Sequence, residues 1–263
     1  MKSSTSHELA LPMGTRNRRW LTANRALPCD ILHFARKIPV AHAEMSMDLS
    51  AVAMHRSAAQ PRISWAAIFL KAYGIVSDQY EWLRASYMSC PLPHVYQHPR
   101  SIGTVAIQRE LAGQSRLCWG RLIDPGNCTL PEIQGKLNQY TENPLAQVFR
   151  KQLQLSRLPW PVRRIVWWVM LNVSGRIRER QLGTFSMSSL AGQGVINREH
   201  PTICTTSLTY GPVGRDGHSV VTLVYDHRLF DGMQAAQALQ QLRACLQQDI
   251  VAELAQISPR LAA

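Results

Sequence analysis

Apolar positions along the chain switch between a helical and a strand-like period, and each switch marks an element. Residues 28–37 (PCDILHFARK) read as a short helix opening on Pro28. Ile38 to Met47 reads as a strand that ends at Asp48-Leu49-Ser50, where the next helix starts. Ile63 to Val76 (ISWAAIFLKAYGIV) is a strongly apolar helix with Ser64 near its start. Ser101 to Glu110 and Leu117 to Ile123 are β-rich runs separated by AGQS, which predicts an antiparallel pair. Helical spacing returns from Pro131 to Tyr140, from Ala146 to Leu155 and from about Pro161 to Arg178. Three more strands follow, Gly183 to Ser188, Thr202 to Tyr210 and Ser219 to Tyr225. A last helix runs from Asp231 past Leu246, with Ala235, Leu239, Leu242 and Leu246 on one face. Helices and strands mixed in this way, without repeats or low-complexity linkers, predict an α/β fold in which helices pack on a sheet. Residues 1–20 read as a flexible tail and residues 21–263 as one domain.

Composition narrows the class. Hydrophobic residues make up 46% and charged residues 17%, the balance of a globular protein. The formal net charge is +12, and of the 29 basic residues five are Lys and 24 are Arg. Such an excess suits a phosphate-bearing cofactor, an anionic lipid surface or nucleic acid, and equally a solvated basic surface. Nucleic acid is disfavoured, because the chain has no zinc-finger spacing, heptad zipper or ribonucleoprotein-type aromatic motif. The six cysteines form no CxxC pair and have no histidines at metal spacing, which predicts reduced thiols, no metal and a cytoplasmic protein. The first 20 residues lack the apolar core of a signal peptide. The most apolar stretch, Ile165 to Val173, is flanked by Arg163, Arg164 and Arg176 and falls well short of the ~20 residues that span a bilayer. It reads as a buried helix, as the wall of an apolar substrate pocket, or as a surface that touches a membrane. Trp160, Trp167 and Trp168 fit core packing and a lipid-like acceptor equally well.

Candidate chemistry gathers at the end of the last strand, in VVTLVYDHRLFDGMQAAQAL, residues 220–239. The apolar run stops at Asp226-His227-Arg228, and Asp231-Gly232 precede the helix. A histidine on a loop between strand and helix can face a cleft, and a neutral imidazole can take a proton near neutral pH. A lone histidine is also an ordinary structural residue, and Asp231 is also an ordinary helix cap.

The string HRLFDG fits the His-x-x-x-Asp-Gly signature of the chloramphenicol acetyltransferase superfamily, and YDHRLFDG resembles the form found in the catalytic domains of dihydrolipoamide acyltransferases. GTFSMSSLAGQG, residues 183–194, is similar to the same family's Gly-Thr-Phe-Thr-Ile-Ser-Asn-Leu-Gly element. RKIPVAHAEMSMDLSAV and ISWAAIFLKAYG resemble its first strand, the following helix and the long buried helix, so the resemblance covers about residues 25–255. Ser189 stands where the family has Asn and Ala191 where it has Gly, and the interval from Ser188 to His227 is short.

The resemblance implies a two-layer sandwich of a mixed sheet with helices packed on it. It implies direct acyl transfer from a thioester, acyl-coenzyme A or an acyl carrier protein, to a hydroxyl, amine or thiol. His227 would be the general base and Ser188 the donor to the oxyanion. Asp231 would prop the loop through an ion pair with an N-terminal arginine, of which Arg25 is the nearest, and Gly232 would allow a tight entry to the last helix. It further implies a homotrimer with sites between subunits, the base from one chain and the serine from its neighbour. No lipoyl domain or lipoylation loop occurs in the chain, which favours a free-standing acyltransferase over the core of a 2-oxo acid dehydrogenase complex or a non-catalytic trimeric scaffold.

Overall fold

The computed structural model describes residues 21–111 and 113–258, so the segment read as a tail lies outside the described residues. The chain begins with α1 (Ala23–Ala35), β1 (Val40–Asp48), α2 (Ser50–Ala58) and α3 (Trp65–Gln79). A short hairpin, β2 (Ala85–Met88) and β3 (His94–Gln97), precedes β4 (Ile102–Leu111) and β5 (Gln114–Ile123). Five helices follow: α4 (Leu130–Glu142), α5 (Leu145–Val148), α6 (Arg150–Arg157), α7 (Trp160–Asn172) and α8 (Gly175–Leu182). The chain then returns to the sheet as β6 (Phe185–Met187), β7 (Thr206–Tyr210) and β8 (His218–Asp226), and closes with α9 (Gly232–Cys245) and α10 (Val251–Gln256).

Six strands form one mixed sheet in the order β1-β8-β7-β6-β4-β5. β6 runs parallel to β4 and β7, and the remaining neighbours are antiparallel. Because successive side chains alternate between faces, every strand serves two environments. On the first face Leu223, Tyr225, Leu208, Phe185, Met187, Val105 and Cys118 are buried under α3 and α9. Ser64 caps α3 by accepting from the Ala67 N–H at 3.2 Å, and the helix then buries nearly its whole circumference. Phe69 stacks on Tyr210 with ring centroids 4.3 Å apart, and Tyr73 meets Phe185 edge-on at 4.8 Å.

The expected two-layer arrangement of mixed sheet and helices is present, with one addition. Over β5, β4 and β6 the second face is also covered, by α1, α6, α7 and α8, around a smaller cluster of Leu27, Phe34, Trp167, Leu171, Leu182 and Ile203. The buried Asp30 of α1 holds α7 in place, pairing with Arg163 at 2.5 Å and Arg164 at 3.2 Å. Gln152 of α6 closes the edge of β5, its amide accepting from the Trp119 N–H at 3.1 Å and donating to the Trp119 carbonyl at 2.7 Å.

Local departures have local causes. Helix α1 starts five residues before Pro28 and holds the proline inside it, at the loss of one helical donor. The run expected as one helix to Arg178 breaks where Ser174 caps α8. The last helix continues through a π turn, Leu246–Ile250, into α10.

Candidate active site

Ser188 follows β6, and glycine chemistry places that strand. Gly183 has φ +86°, and a Cβ there would lie 2.5 Å from Thr104 Oγ1 and 2.8 Å from the Ile102 carbonyl, so only glycine lets the chain leave α8 and enter the sheet. The Ser188 N–H bonds to the Leu208 carbonyl at 3.2 Å, which fixes its position beside β7. Its half-buried hydroxyl makes no hydrogen bond among the described residues. Ser189, in the place of the family's Asn, donates to the Tyr210 carbonyl at 2.7 Å and accepts from the Ala191 N–H at 3.1 Å, pinning the loop behind Ser188.

Ser188 lines a cavity of about 560 Å³ between the second face of the sheet and the helices above it. Its walls are Leu27, Ile31, Trp119, Leu155, Trp167 and Met170. A row of hydroxyls, one from each strand in register, crosses this face of the sheet: Thr104 and Ser186 line the cavity, and Ser207 lies beside them. The Ser186 hydroxyl donates to Ser207 at 2.6 Å and lies 3.0 Å from the Thr202 hydroxyl. Ser207 in turn meets His200 Nε2 at 2.5 Å. Burial pushes the His200 pKa down to about 4, so its ring is neutral near pH 7. None of these network residues stood out in the sequence. Their only signal was alternation of Ser and Thr within strands, which a solvent-facing strand shows as well. Buried helix and pocket wall both hold in part for Ile165 to Val173, where Trp167 and Leu171 are buried. Trp167 and Met170 of α7 face the cavity, whereas Trp160, Ile165 and Trp168 are exposed.

His227 occupies the turn after β8, and its side chain is exposed. The turn is held on both sides of it. The His227 N–H bonds to the Pro39 carbonyl at 2.9 Å, continuing the β1–β8 ladder by one residue. Arg228 folds back on the buried Asp226, pairing at 2.6 Å, and its guanidinium lies over the Tyr87 ring at 4.0 Å. Sequence reasoning gave Asp226 and Arg228 no role, although opposite charges on either side of the histidine were visible. The clamp sets the backbone from which the imidazole projects.

Three expectations around the motif are corrected. Asp231 is the N-cap of α9, accepting from the Met233 and Gln234 N–H groups at 3.0 and 3.3 Å. It makes no ion pair among the described residues, and Arg25 is not its partner. Arg25 lies on α1, which packs beside β5, four strands from β8 in the sheet order, or roughly 19 Å across. Gly232 is the first residue of α9, and a Cβ there would meet only Tyr225 Oη, at 3.6 Å, so the turn itself does not demand glycine.

Strand register also fixes how far Ser188 lies from His227. Met187 pairs with Leu208, which places Ser188 level with Thr209, and Thr209 pairs with Thr222. His227 is five residues further along β8, about 17 Å, and two strands across, about 10 Å, so the two backbones are about 20 Å apart. Within one chain the two side chains cannot reach a common reacting atom, which requires contacts of about 3 Å.

The chain matches no protein-family model and no curated protein sequence. Its fold matches solved structures closely. A dihydrolipoamide acetyltransferase of Azotobacter vinelandii, studied for the catalytic roles of a serine, a histidine and an asparagine, aligns at 15% identity, covering 97% of this chain and 100% of that one with a TM-score of 0.67. A probable dihydrolipoamide acetyltransferase of Listeria monocytogenes aligns at 15% identity over 89% of this chain and 95% of that one, with a TM-score of 0.65. The cubic core of a pyruvate dehydrogenase multienzyme complex aligns at 16% identity over 97% and 100%, with a TM-score of 0.62. This chain therefore has the fold of dihydrolipoamide acetyltransferase catalytic cores.

Proposed function

We propose that the protein is an acyltransferase whose active site forms between copies of the chain, Ser188 from one and His227 from the next. The observation that carries this reading is the pair of half-sites at opposite ends of one sheet. One is a free hydroxyl on the floor of a cavity, and the other is an exposed imidazole on a clamped turn, about 20 Å away by strand geometry. A closed ring of identical subunits brings such ends together, because each copy offers one end to one neighbour and the other end to the next. A homotrimer is the smallest such ring, and the cubic core among the matched structures has threefold axes by its symmetry.

The donor is a thioester, acyl-coenzyme A or an acyl carrier protein. His227 removes the proton of an acceptor hydroxyl, amine or thiol as that atom attacks the thioester carbonyl. The carbon–sulfur bond then breaks and the thiolate leaves, taking the proton back from the imidazolium. While the carbonyl oxygen is negative, the Ser188 hydroxyl donates to it, a contact whose removal typically costs about 10²–10³-fold in turnover. The matched acetyltransferases support a second donor, a lipoyl thioester, and with it a place as the core of a dehydrogenase complex. Six unpaired cysteines, three of them buried, support a reducing cytoplasmic location.

A donor screen tests the proposal. Thiol release from acyl-coenzyme A is expected with the wild-type protein and lost in His227→Ala. Release that persists at the wild-type rate in His227→Ala contradicts it. Turnover of acyl-lipoamide alone would select the dehydrogenase-core reading.

A further inference from the structure

The cavity beside Ser188 contains a charge with no counterpart. Among its lining residues are Arg121 and Lys151 and not one aspartate or glutamate. Lys151 is exposed at the rim, but Arg121 is half-buried on β5, in register with Thr104 and facing the same side of the sheet. Most other buried or half-buried arginines are paired, and Arg56, which has no hydrogen bond or ion pair, lies over the Trp65 ring at 5.1 Å. Arg163 is paired with Asp30. Arg116 donates to Asn24 and Ser156 at 3.0 and 2.6 Å. Arg178 donates to the carbonyls of Tyr87, Leu171 and Ile203 at 2.8–3.2 Å. Arg109 donates to the carbonyls of Tyr140 and Asn143. The Arg121 guanidinium makes neither a hydrogen bond nor an ion pair among the described residues, although burial holds its pKa below the ordinary arginine value. Unpaired in this way, the guanidinium is open to an anion that enters the cavity.

Hydroxyls of Thr104 and Ser186 lie on the floor, and the walls are apolar. Trp119, Leu117, Leu155, Val166, Trp167 and Met170 form the walls, and about 560 Å³ is within the usual range for a site that encloses a small ligand. Register places Arg121 level with Ser186, two strands away, and Ser188 one side-chain row further, so the Arg121 and Ser188 backbones are about 12 Å apart. One extended molecule can reach from one to the other.

We propose that this cavity binds an amphiphilic anion, its apolar body against Trp119, Trp167 and Met170 and its carboxylate or phosphate on Arg121. Joined to the reading of Ser188 as the oxyanion donor, on which this part rests, it makes the substrate delivered to the active site an acid with an apolar chain. The binding itself does not depend on catalysis.

Isothermal titration with three probes of one chain length separates the possibilities: decanoate, decyl phosphate and decanol. The wild-type protein is expected to bind the better of the two anions about tenfold or more tightly than decanol, since a charge-assisted hydrogen bond is stronger than a neutral one. The anion that binds better identifies the source as carboxylate or phosphate. Arg121→Met should erase the preference while leaving decanol binding in place, and Arg121→Lys should restore part of it. Ala106→Phe, which fills the floor of the cavity, should abolish binding of all three. Equal affinity for decanol and both anions, an unchanged preference in Arg121→Met, or full binding in Ala106→Phe would each overturn the proposal. Anion preference retained without any acyl transfer in the wild type removes only the enzymatic reading, and transfer without anion preference removes only this one.

Discussion

The two faces of the sheet are built from the same strands and do different work. On β7, Leu208 and Tyr210 enter the first face, where they meet α3 in an apolar core, while Ser207 and Thr209 enter the second, where their hydroxyls donate to the Ser186 and Asn197 carbonyls. Both faces are buried at this strand. The first face gains stability from apolar area removed from water. The second spends part of that opportunity on hydroxyls that must satisfy one another, and stability alone would favour an apolar replacement. A buried polar face next to a cavity is what a binding site needs: a rigid floor, fixed from behind by packing, with polar groups aimed at a ligand.

The contrast can be broken or sharpened in several ways. The largest effect is expected on the first face, where Phe185→Ala removes a ring buried between Tyr73 and the sheet and should lower unfolding free energy by about 3–5 kcal/mol in urea titrations. Three residues along the chain, Ser188→Ala should do the reverse. Turnover should fall about 10²-fold or more, with donor affinity kept and stability within about 0.5 kcal/mol of wild type. An intermediate effect depends on pH. Burial holds His200 down to about 4 and likewise His98, in part offset by Glu179, so both stay neutral in the fold where an unfolded histidine is protonated. Unfolded chains then bind more protons, and stability should fall as pH drops from about 6.5 towards 4. Melting temperatures across that window should show the loss, and His200→Gln should reduce it. The smallest effect is Asp231→Ala, which removes two cap bonds and should cost about 1 kcal/mol. A loss of activity far beyond that would give Asp231 a role outside the cap.

How much of this was legible in the sequence depended on whether one strand or several wrote it. β1, β4, β5 and β8 were readable from alternation, and Ser64 marked the start of α3. The turn at His227 was readable from a motif within eight residues, and Gly183 from another. The hairpin β2–β3, with four residues per strand and prolines at Pro91 and Pro93, gave no run long enough to show a period. The cavity was not legible because its floor takes one residue from each of several strands and its roof comes from α1, α6 and α7, far apart in the chain. Arg121 looks like any outward-facing strand residue until Thr104 and α6 are set beside it. The expected Arg25–Asp231 pair failed for the same reason: only the strand order shows that β7, β6 and β4 lie between them.

The claim that one catalytic centre takes Ser188 and His227 from different copies has a direct test in mixing two inactive variants. His227→Ala keeps the serine half-site and Ser188→Ala keeps the histidine half-site. Unfolded together in equal amounts and refolded, they should assemble rings in which about a quarter of the sites pair an intact Ser188 with an intact His227, if neighbours are drawn at random. Acyl transfer at about a quarter of the wild-type rate is the predicted result, from proteins that separately show little. Activity no greater than the sum of the two variants, with mixed rings confirmed by mass, would contradict it.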